Sequence, residues 1–446
     1  RSRARAAALA RALGLDVGPG PDGAPAVLGA AGRPLPGVIT VVGSKGKGTA
    51  ACFASAALHA AGLRVGTITS PALRTNAERV RLNGTALDDR EYRDLSRALA
   101  GALERLGPPT AGYLSPAGAY LMAGVARLTG ALGPSAPLPG GDGPAGDGAG
   151  PVDVLVLEEG MGGAGDEVSL FVPTVVALTP VFAEHLGVLG HDVEQIAEEL
   201  LGVVRPGTAR VRSTRQTPPV HRALEKALRR AQLPEGAATR LGDEAVREAA
   251  DTLGPGLTAP NAALGLAAAG DLLAAVATPD RGTTADDGAL AVTGWPRACG
   301  DSSGRERVLR GVGTLPGRMS VHPPTEGRPG VWIVDCAVDP VGVRAAVSQV
   351  EREHGEPSLV LACFPDGKDP RACFAALPSR YSVVPVTAGT GHLSYLLPGP
   401  PAPPVRADSA LREANRTPGV VLCLGTVSFV AEVLEHLDAD TRRWWP

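Results

Sequence analysis

The sequence predicts an α/β protein in two parts, a phosphate-loop domain on a parallel sheet and a smaller Rossmann-like α/β domain. Three observations carry this expectation. The apolar strand Val38–Val42 runs straight into the glycine-rich loop Gly43-Ser44-Lys45-Gly46-Lys47-Gly48-Thr49. Apolar, β-branched runs alternate with helical segments along most of the chain. That alternation stops in a low-complexity stretch at 278–304 and restarts beyond it. The chain's 446 residues suffice for two or three domains with their own cores.

In chain order, the strand Val38–Val42 leads into a helix near Thr49–Ala61, then a strand near Val65–Thr69. Helices follow near Asp89–Leu106 and Ala117–Leu132. Residues 133–151 are rich in Gly, Pro, Ala and Asp without period, and are read as a disordered surface loop. The strands Val152–Leu157 and Thr174–Thr179 and a helix near Val193–Leu201 complete a parallel, doubly covered sheet. The first domain is therefore set at 1–305, with 278–304 as an inserted loop or linker, and the second at 306–446. The second domain reads Val331–Val334, a helix near Val341–His354, Leu359–Cys363, Ser382–Val386, Val420–Leu424 and a helix near Val427–Leu437. In such sheets ligands sit at the C-terminal strand ends.

Composition excludes several classes. Net charge is −3, so no basic surface advertises nucleic acid. No apolar stretch is read as approaching the roughly 18–20 residues that span a bilayer, and no signal-peptide pattern stands at the start. Six scattered cysteines form no Cys-x-x-Cys pair and read as reduced thiols, not as a disulfide frame or zinc site. The expectation is a cytoplasmic monomer without nucleic-acid or membrane partners.

The loop at 43–49 carries the chemistry. Its glycines allow a tight turn that presents N–H groups to anionic oxygens. Lys47 supplies a cation for the β/γ-phosphates, and Thr49 a hydroxyl for Mg²⁺ at the start of the next helix. Lysine is scarce: of 43 basic residues only Lys45, Lys47, Lys226 and Lys368 are Lys, and two of them fall in this loop.

Two residues separate Gly43 from the Gly46-Lys47 pair, where the usual P-loop has four. This short form, followed by Gly48 and Thr49, resembles the ATP loop of the Mur ligase superfamily, in its folylpolyglutamate synthase branch. Other segments line up in order. Ser70-Pro71-Ala72-Leu73 with Glu78-Arg79-Val80 resembles the family's Ser-Pro-His-Leu … Glu-Arg-Ile. Glu158-Glu159-Gly160-Met161-Gly162-Gly163 with Asp166 resembles Glu-Val-Gly-Leu-Gly-Gly-Arg-Leu-Asp. Glu184-His185 with Ile196-Ala197-Glu198-Glu199 resembles Asp-His … Ile-Ala-x-Glu-Lys. Leu315-Pro316-Gly317-Arg318, Asp335-Cys336-Ala337-Val338-Asp339-Pro340, Asp366-Gly367-Lys368-Asp369 and Gly425-Thr426 resemble Pro-Gly-Arg, Asp-Gly-Ala-His-Asn-Pro, Asp-Lys-Asp and Gly-Ser.

The resemblance implies ATP and Mg²⁺ as cofactors and an amide-forming reaction between a carboxylic acid and an amino acid or other amine. It implies nucleotide contacts from Gly43, Ser44, Lys45, Gly46, Lys47, Gly48, Thr49, Asn261, Arg318 and Asp335. Thr49, Ser70, Glu158 and His185 would hold the metal. Lys47, Glu158, His185 and Asp335 would be catalytic, and Ala72, Val338, Asp339 and Thr426 would face substrate. His59, His191 and His436 are assigned to structure or surface.

Departures from the pattern cluster on the substrate side. Ala72 and Val338 replace histidines, Ala164 an arginine and Asp339 an asparagine, and Leu257-Thr258-Ala259-Pro260-Asn261 keeps only the Asn of His-Gln … Asn. Leu200 stands where the family has a lysine, usually carbamylated, at a second Mg²⁺; Glu159, Glu167, Glu198 and Glu199 are the nearby carboxylates that could replace its charge. A ligase acting on a non-folate, specialised metabolite is the reading favoured. A genuine folylpolyglutamate or dihydrofolate synthase, a non-catalytic nucleotide-binding paralogue, and an acyl-phosphate or dehydration enzyme without amine capture are the alternatives.

Overall fold

The computed structural model describes residues 2–108, 112–133, 150–256, 258–277, 301–391 and 393–445. Most of the loop expected at 133–151 and of the linker at 278–304 lies outside them, as does Leu257.

Helix α1 (Arg3–Ala12) and the strands β1 (Leu15–Pro19), β2 (Pro25–Ala30) and β3 (Arg33–Pro34) form an antiparallel three-stranded sheet with a helix beside it. The larger sheet begins with β4 (Gly37–Val42), which feeds α2 (Lys47–Ala60). β5 (Val65–Ile68), β6 (Val80–Leu82), β7 (Thr85–Ala86), α3 (Asp89–Leu106) and α4 (Pro116–Leu128) follow. Then come β8 (Val154–Glu158), β9 (Val175–Leu178), α5 (Val193–Leu200), β10 (Arg210–Ser213), α6 (Pro218–Arg230), β11 (Ala238–Arg240), α7 (Asp243–Leu253) and α8 (Thr258–Ala277). The strand order is β11-β10-β9-β4-β8-β5-β6-β7. The sheet is parallel from β11 to β5 but turns antiparallel at β6 and β7, so the all-parallel expectation is corrected at that edge.

β4 shows why the sheet is covered on both faces. Val38 and Val42 pack into one core cluster with α1, α3, α4, α5 and α6, while Ile39 and Val41 pack into another with α2, α7 and α8. Alternate residues of a strand face opposite sides, so a run of β-branched residues suits a sheet buried twice.

Helix α9 (Ser302–Val312) joins the second of these clusters through Val308, Leu309 and Val312, and Leu315 follows it there. The segment 308–315 thus packs with the core of the larger domain. The smaller domain holds β12 (Ser320–His322), β13 (Val331–Asp335), α10 (Pro340–His354), β14 (Leu359–Cys363), α11 (Pro370–Ala375), β15 (Val383–Thr387), β16 (Val405–Arg406), α12 (Ala407–Ala414), β17 (Val420–Gly425) and α13 (Val427–His436). Its strand order is β12-β13-β17-β14-β15-β16, parallel apart from β12.

One further expectation is corrected. The stretch Thr258–Val276 has 19 residues and is long and apolar enough to cross a membrane by length and composition. It is a core helix of the larger domain: 61% of its apolar window is buried, and a Cβ on Gly265 would lie 2.3 Å from the carbonyl oxygen of Ala50 in α2. The five described cysteines, Cys52, Cys336, Cys363, Cys373 and Cys423, are free thiols.

Candidate functional site

The end of β4, flanked by β8 and β9, opens on a cleft of about 350 Å³ between the domains. Gly43 and Gly46 take φ values of +132° and +85°, which side chains disfavour. Space excludes side chains there as well. A Cβ on Gly46 would meet Asn261 Nδ2 at 2.1 Å, so Asn261 of α8 lies directly against the loop. Ser44 fastens the loop to the segment after β9: its N–H donates to Pro180 O at 3.0 Å and its Oγ accepts from Phe182 N at 3.0 Å. α2 then starts at Lys47, pointing its free N–H groups and positive dipole end at the cleft.

Lys47 Nζ pairs with Glu159 Oε1 at 2.9 Å and donates to Gly43 O. Glu159 is buried, and its Oε2 has no hydrogen-bond partner. Burial pushes its carboxyl up to about 8, against the pull of the Lys47 ammonium. Glu158, at the end of β8, accepts from Ser70 N at 3.1 Å; burial raises its pKa, opposed first by Lys47.

The smaller domain reaches across. Arg318 Nη2 lies 3.1 Å from where a Cβ on Gly48 would stand, and the Glu158 carboxylate oxygens lie 3.5 and 3.6 Å from it. Arg318 and Glu158 thus both flank Gly48 in the first turn of α2. Asp335, closing β13, accepts from Met319 N at 2.9 Å; burial raises its pKa, with Arg318 pulling it back. Asp339 caps α10 through Oδ1, which accepts from Val341 N and Gly342 N at 3.1 and 2.9 Å, and turns Oδ2 to Lys45 at 3.4 Å. Thr426 caps α13 by accepting from Phe429 N at 3.3 Å.

Nearly all the residues singled out in the sequence therefore line one cleft: Ser44 to Thr49, Ser70, Glu158, His185, Asn261, Arg318, Asp335, Val338, Asp339 and Thr426. Ala72 does not; it lines a smaller side cavity with Leu73, Arg81 and Trp444. His185 is exposed and in a left-handed backbone conformation at φ +48°. Among the described residues, no three His, Cys, Asp or Glu side chains converge as a metal-binding group. The donors present, a Thr49 hydroxyl and a Glu158 carboxylate on one cleft, are hard oxygens that suit a Mg²⁺ taking its remaining ligands from phosphate and water.

Leu200 is 1% exposed in the hydrophobic core. Of the four carboxylates weighed against its missing charge, Glu198 pairs with Lys226 at the surface, Glu199 accepts from Gly165 N at 2.7 Å and Glu167 from Ser115 N at 3.0 Å. Glu159 is the one of them that lines the cleft.

Lys368, to which no motif gives a role, lines the same cleft, its pKa lowered by burial and then by Lys45. Three of the chain's four lysines thus surround one cavity. The scarcity that marked Lys45 and Lys47 was a signal for Lys368 too. Phe182 and Val341, which no motif announced, join Met161 of the Glu158–Gly163 motif in an apolar rim.

This arrangement, a phosphate loop facing a Rossmann-like domain across a cleft, is the fold of solved folylpolyglutamate synthases. The apo form of the L. casei enzyme superposes with a TM-score of 0.68 at 18% identity, over 98% of this chain and 95% of that one. The Mycobacterium tuberculosis folylpolyglutamate synthase complexed with ADP and AMPPCP gives 0.68 at 19%, over 91% and 92%. In sequence the chain is folylpolyglutamate synthase-like. It is 29% identical over 379 residues to a probable bifunctional folylpolyglutamate synthase/dihydropteroate synthase of Halobacterium salinarum, covering 81% of this chain and 41% of that protein. It is 28% identical over 172 residues to the dihydrofolate synthase/folylpolyglutamate synthase of Bacillus subtilis, covering 37% and 35%. The chain spans less than half the length of these curated relatives. No family model matches it.

Proposed function

We propose that the protein is an ATP-dependent ligase that joins a carboxylic acid to an amine through an acyl phosphate. The observation that carries this is the approach of Arg318, from the smaller domain, to the first turn of the phosphate-loop helix, where Glu158 also lies. A nucleotide in that loop would have its terminal phosphate in the cleft and not at an open surface.

An acid oxygen would attack the γ-phosphorus as the bond to ADP breaks. The amine nitrogen would then attack the acyl carbon, and phosphate would leave with the bonding electrons. Lys47, the loop amides and Arg318 would neutralise the transferring group, and domain closure would keep water from the acyl phosphate. Thr49 and Glu158 are the residues suited to hold Mg²⁺, which when bound supplies charge neutralisation at the phosphates.

The finer reading is an acid other than a folate. Val338 and Val341 add apolar surface to the α10 side of the cleft, and Lys368 lines the same cleft as a cation for a carboxylate. Free thiols throughout the described residues suit a reducing, cytoplasmic setting. The test is ADP release with Mg²⁺–ATP across a panel of carboxylic acids, with hydroxylamine to trap acyl phosphate as hydroxamate. Stimulation by an acid with hydroxamate formed supports the ligase. Stimulation confined to dihydropteroate or folates would replace the non-folate reading by genuine folylpolyglutamate or dihydrofolate synthesis. Nucleotide binding with no stimulation by any acid would leave a binding paralogue.

A further inference from the structure

Residues Ala439–Trp445 follow the last helix of the smaller domain, yet the larger domain binds them. Arg442 O accepts from Ala86 N at 2.8 Å, Trp444 N donates to Gly84 O at 3.3 Å, and Arg443 bridges Thr85 in antiparallel fashion. The segment is thus an added edge against β7. Beneath it lies Arg81, 2% exposed, which donates to the carbonyls of Thr441 and Arg442 at 2.9 and 2.6 Å. Its guanidinium sits 4.4 Å from the ring centre of Trp444. Trp445 stacks on His59 with ring centres 6.0 Å apart.

The same segment touches the loop that enters the cleft. Thr441 Oγ1 donates to Glu78 Oε1 at 2.8 Å. Glu78 is itself 2% exposed and accepts from the N–H groups of Leu73, Arg74 and Thr75 at 3.3, 3.3 and 3.2 Å. In the other direction Arg74 donates to Ala439 O at 2.6 Å and pairs with Glu435. The turn so held continues directly from Ser70 and Pro71, which line the cleft, and Ser70 N–H is the donor to Glu158. Thr441 and Trp444 also share the side cavity with Ala72, Glu158 and Arg318. A buried carboxylate bonded to successive backbone N–H groups fixes their geometry, and its own place depends on the donors around it.

We propose that Thr441–Trp445 is a positioning element of the site: donated by the smaller domain, it clamps Glu78 and Arg81 and thereby holds the Ser70–Arg79 loop against the phosphate loop. The clasp joins the domains in addition to the chain crossing at 313–318 and the Lys45–Asp339 pair, and it is the contact that bears on this loop, so the loop's shape depends on the smaller domain being seated. Ala72, expected to face substrate, stands in this loop, and in taking the loop as part of the acid site the proposal rests on the ligase reading above.

Hydrogen exchange by mass spectrometry on the full chain tests it, with Trp444→Ala, Thr441→Val and the conservative Trp444→Phe. Expected is exchange about tenfold faster for amides at 73–79 in Trp444→Ala, restored in Trp444→Phe, while the 43–49 peptide keeps its wild-type rate. Calorimetry with Mg²⁺–AMPPCP should give an affinity within about twofold of wild type. With an acid that stimulates ADP release in hand, Trp444→Ala should raise KM for the acid and leave KM for ATP alone. Wild-type protection of 73–79 in Trp444→Ala overturns the clasp, as does acceleration spread evenly over the larger sheet, which marks general loss of stability. Absence of acid-stimulated ADP release from the wild-type chain overturns the ligase reading and leaves the exchange result standing.

Discussion

Lys45 Nζ and Asp339 Oδ2 stand 3.4 Å apart across the cleft, one on the phosphate loop and the other at the cap of α10. Both side chains are about a third exposed, so the pair contributes at most about 1 kcal/mol. Incoming phosphates compete with Asp339 for the Lys45 ammonium. Asp339→Asn keeps the oxygen that caps α10 and removes the competing charge. Binding of Mg²⁺–AMPPCP, followed by calorimetry, should tighten about two- to fivefold in this variant. Its Tm should stay within about 2 °C of wild type. Unchanged or weaker binding would remove the competition argument.

The Lys47–Glu159 pair makes stability pH-dependent in a stated direction. Glu159 titrates near 8 in the folded chain because it is buried, and near an ordinary carboxylate value of about 4.3 when unfolded. Between these values the folded state holds a proton that the unfolded state has lost. Its contribution is therefore complete at low pH and is lost as pH rises through the folded value. Glu159→Gln removes that slope. Melting curves of the two proteins from about pH 5 to 9 should diverge, with the variant gaining on wild type as pH rises. Parallel curves would show that the carboxyl is ionised throughout.

The strands and helices around the phosphate loop were legible because each carried its own period. Val38–Val42 is apolar and β-branched, and Asp89–Leu106 runs between the ends set by its Asp88 cap and Gly107. The sequence also named most cleft residues, since Gly46, Arg318 and Asp335 stand in short motifs whose chemistry is local. What it concealed depends on distant neighbours. Thr258–Ala277 is apolar around most of its circumference, Asn261 and Asp271 apart, so it shows no amphipathic stripe although it packs on α2. Ala72, expected to face substrate, lines a side cavity that shares Ser70, Glu158 and Arg318 with the cleft, a placement set by the turn that Glu78 holds. The Lys47–Glu159 and Lys45–Asp339 pairs arise from loops brought together by the sheet and by the second domain, which no spacing along the chain encodes.

Leu200 offers a direct test of the missing lysine. Its side chain is packed beside Ile196, Ala197 and Leu201 in the core, so the position lacks more than a ligating atom. Leu200→Lys would bury an ammonium among apolar side chains, at a cost of about 3 kcal/mol or more. For domains of this size that is a fall of about 6–12 °C in Tm. Mg²⁺ affinity, measured by calorimetry in the presence of AMPPCP, should not rise. A stable variant with a second bound metal would mean that the backbone at 200 can turn the side chain toward the cleft.

Gly48 separates function from stability. Nothing in its backbone demands glycine: it lies in the first turn of α2 without a positive φ. Alanine there should therefore cost no stability and could add about 0.5–1 kcal/mol to the helix. The added methyl would nevertheless stand 3.1 Å from Arg318 Nη2 and 3.5 Å from the nearer Glu158 oxygen. Arg318 must then give way by a few tenths of an ångström, and displacement on that scale at a phosphoryl-transfer site is costly in rate. Gly48→Ala should keep or raise Tm while acid-stimulated ADP release falls about tenfold or more. If the variant melts as wild type and turns over at the wild-type rate, Arg318 does not act from the place the fold gives it.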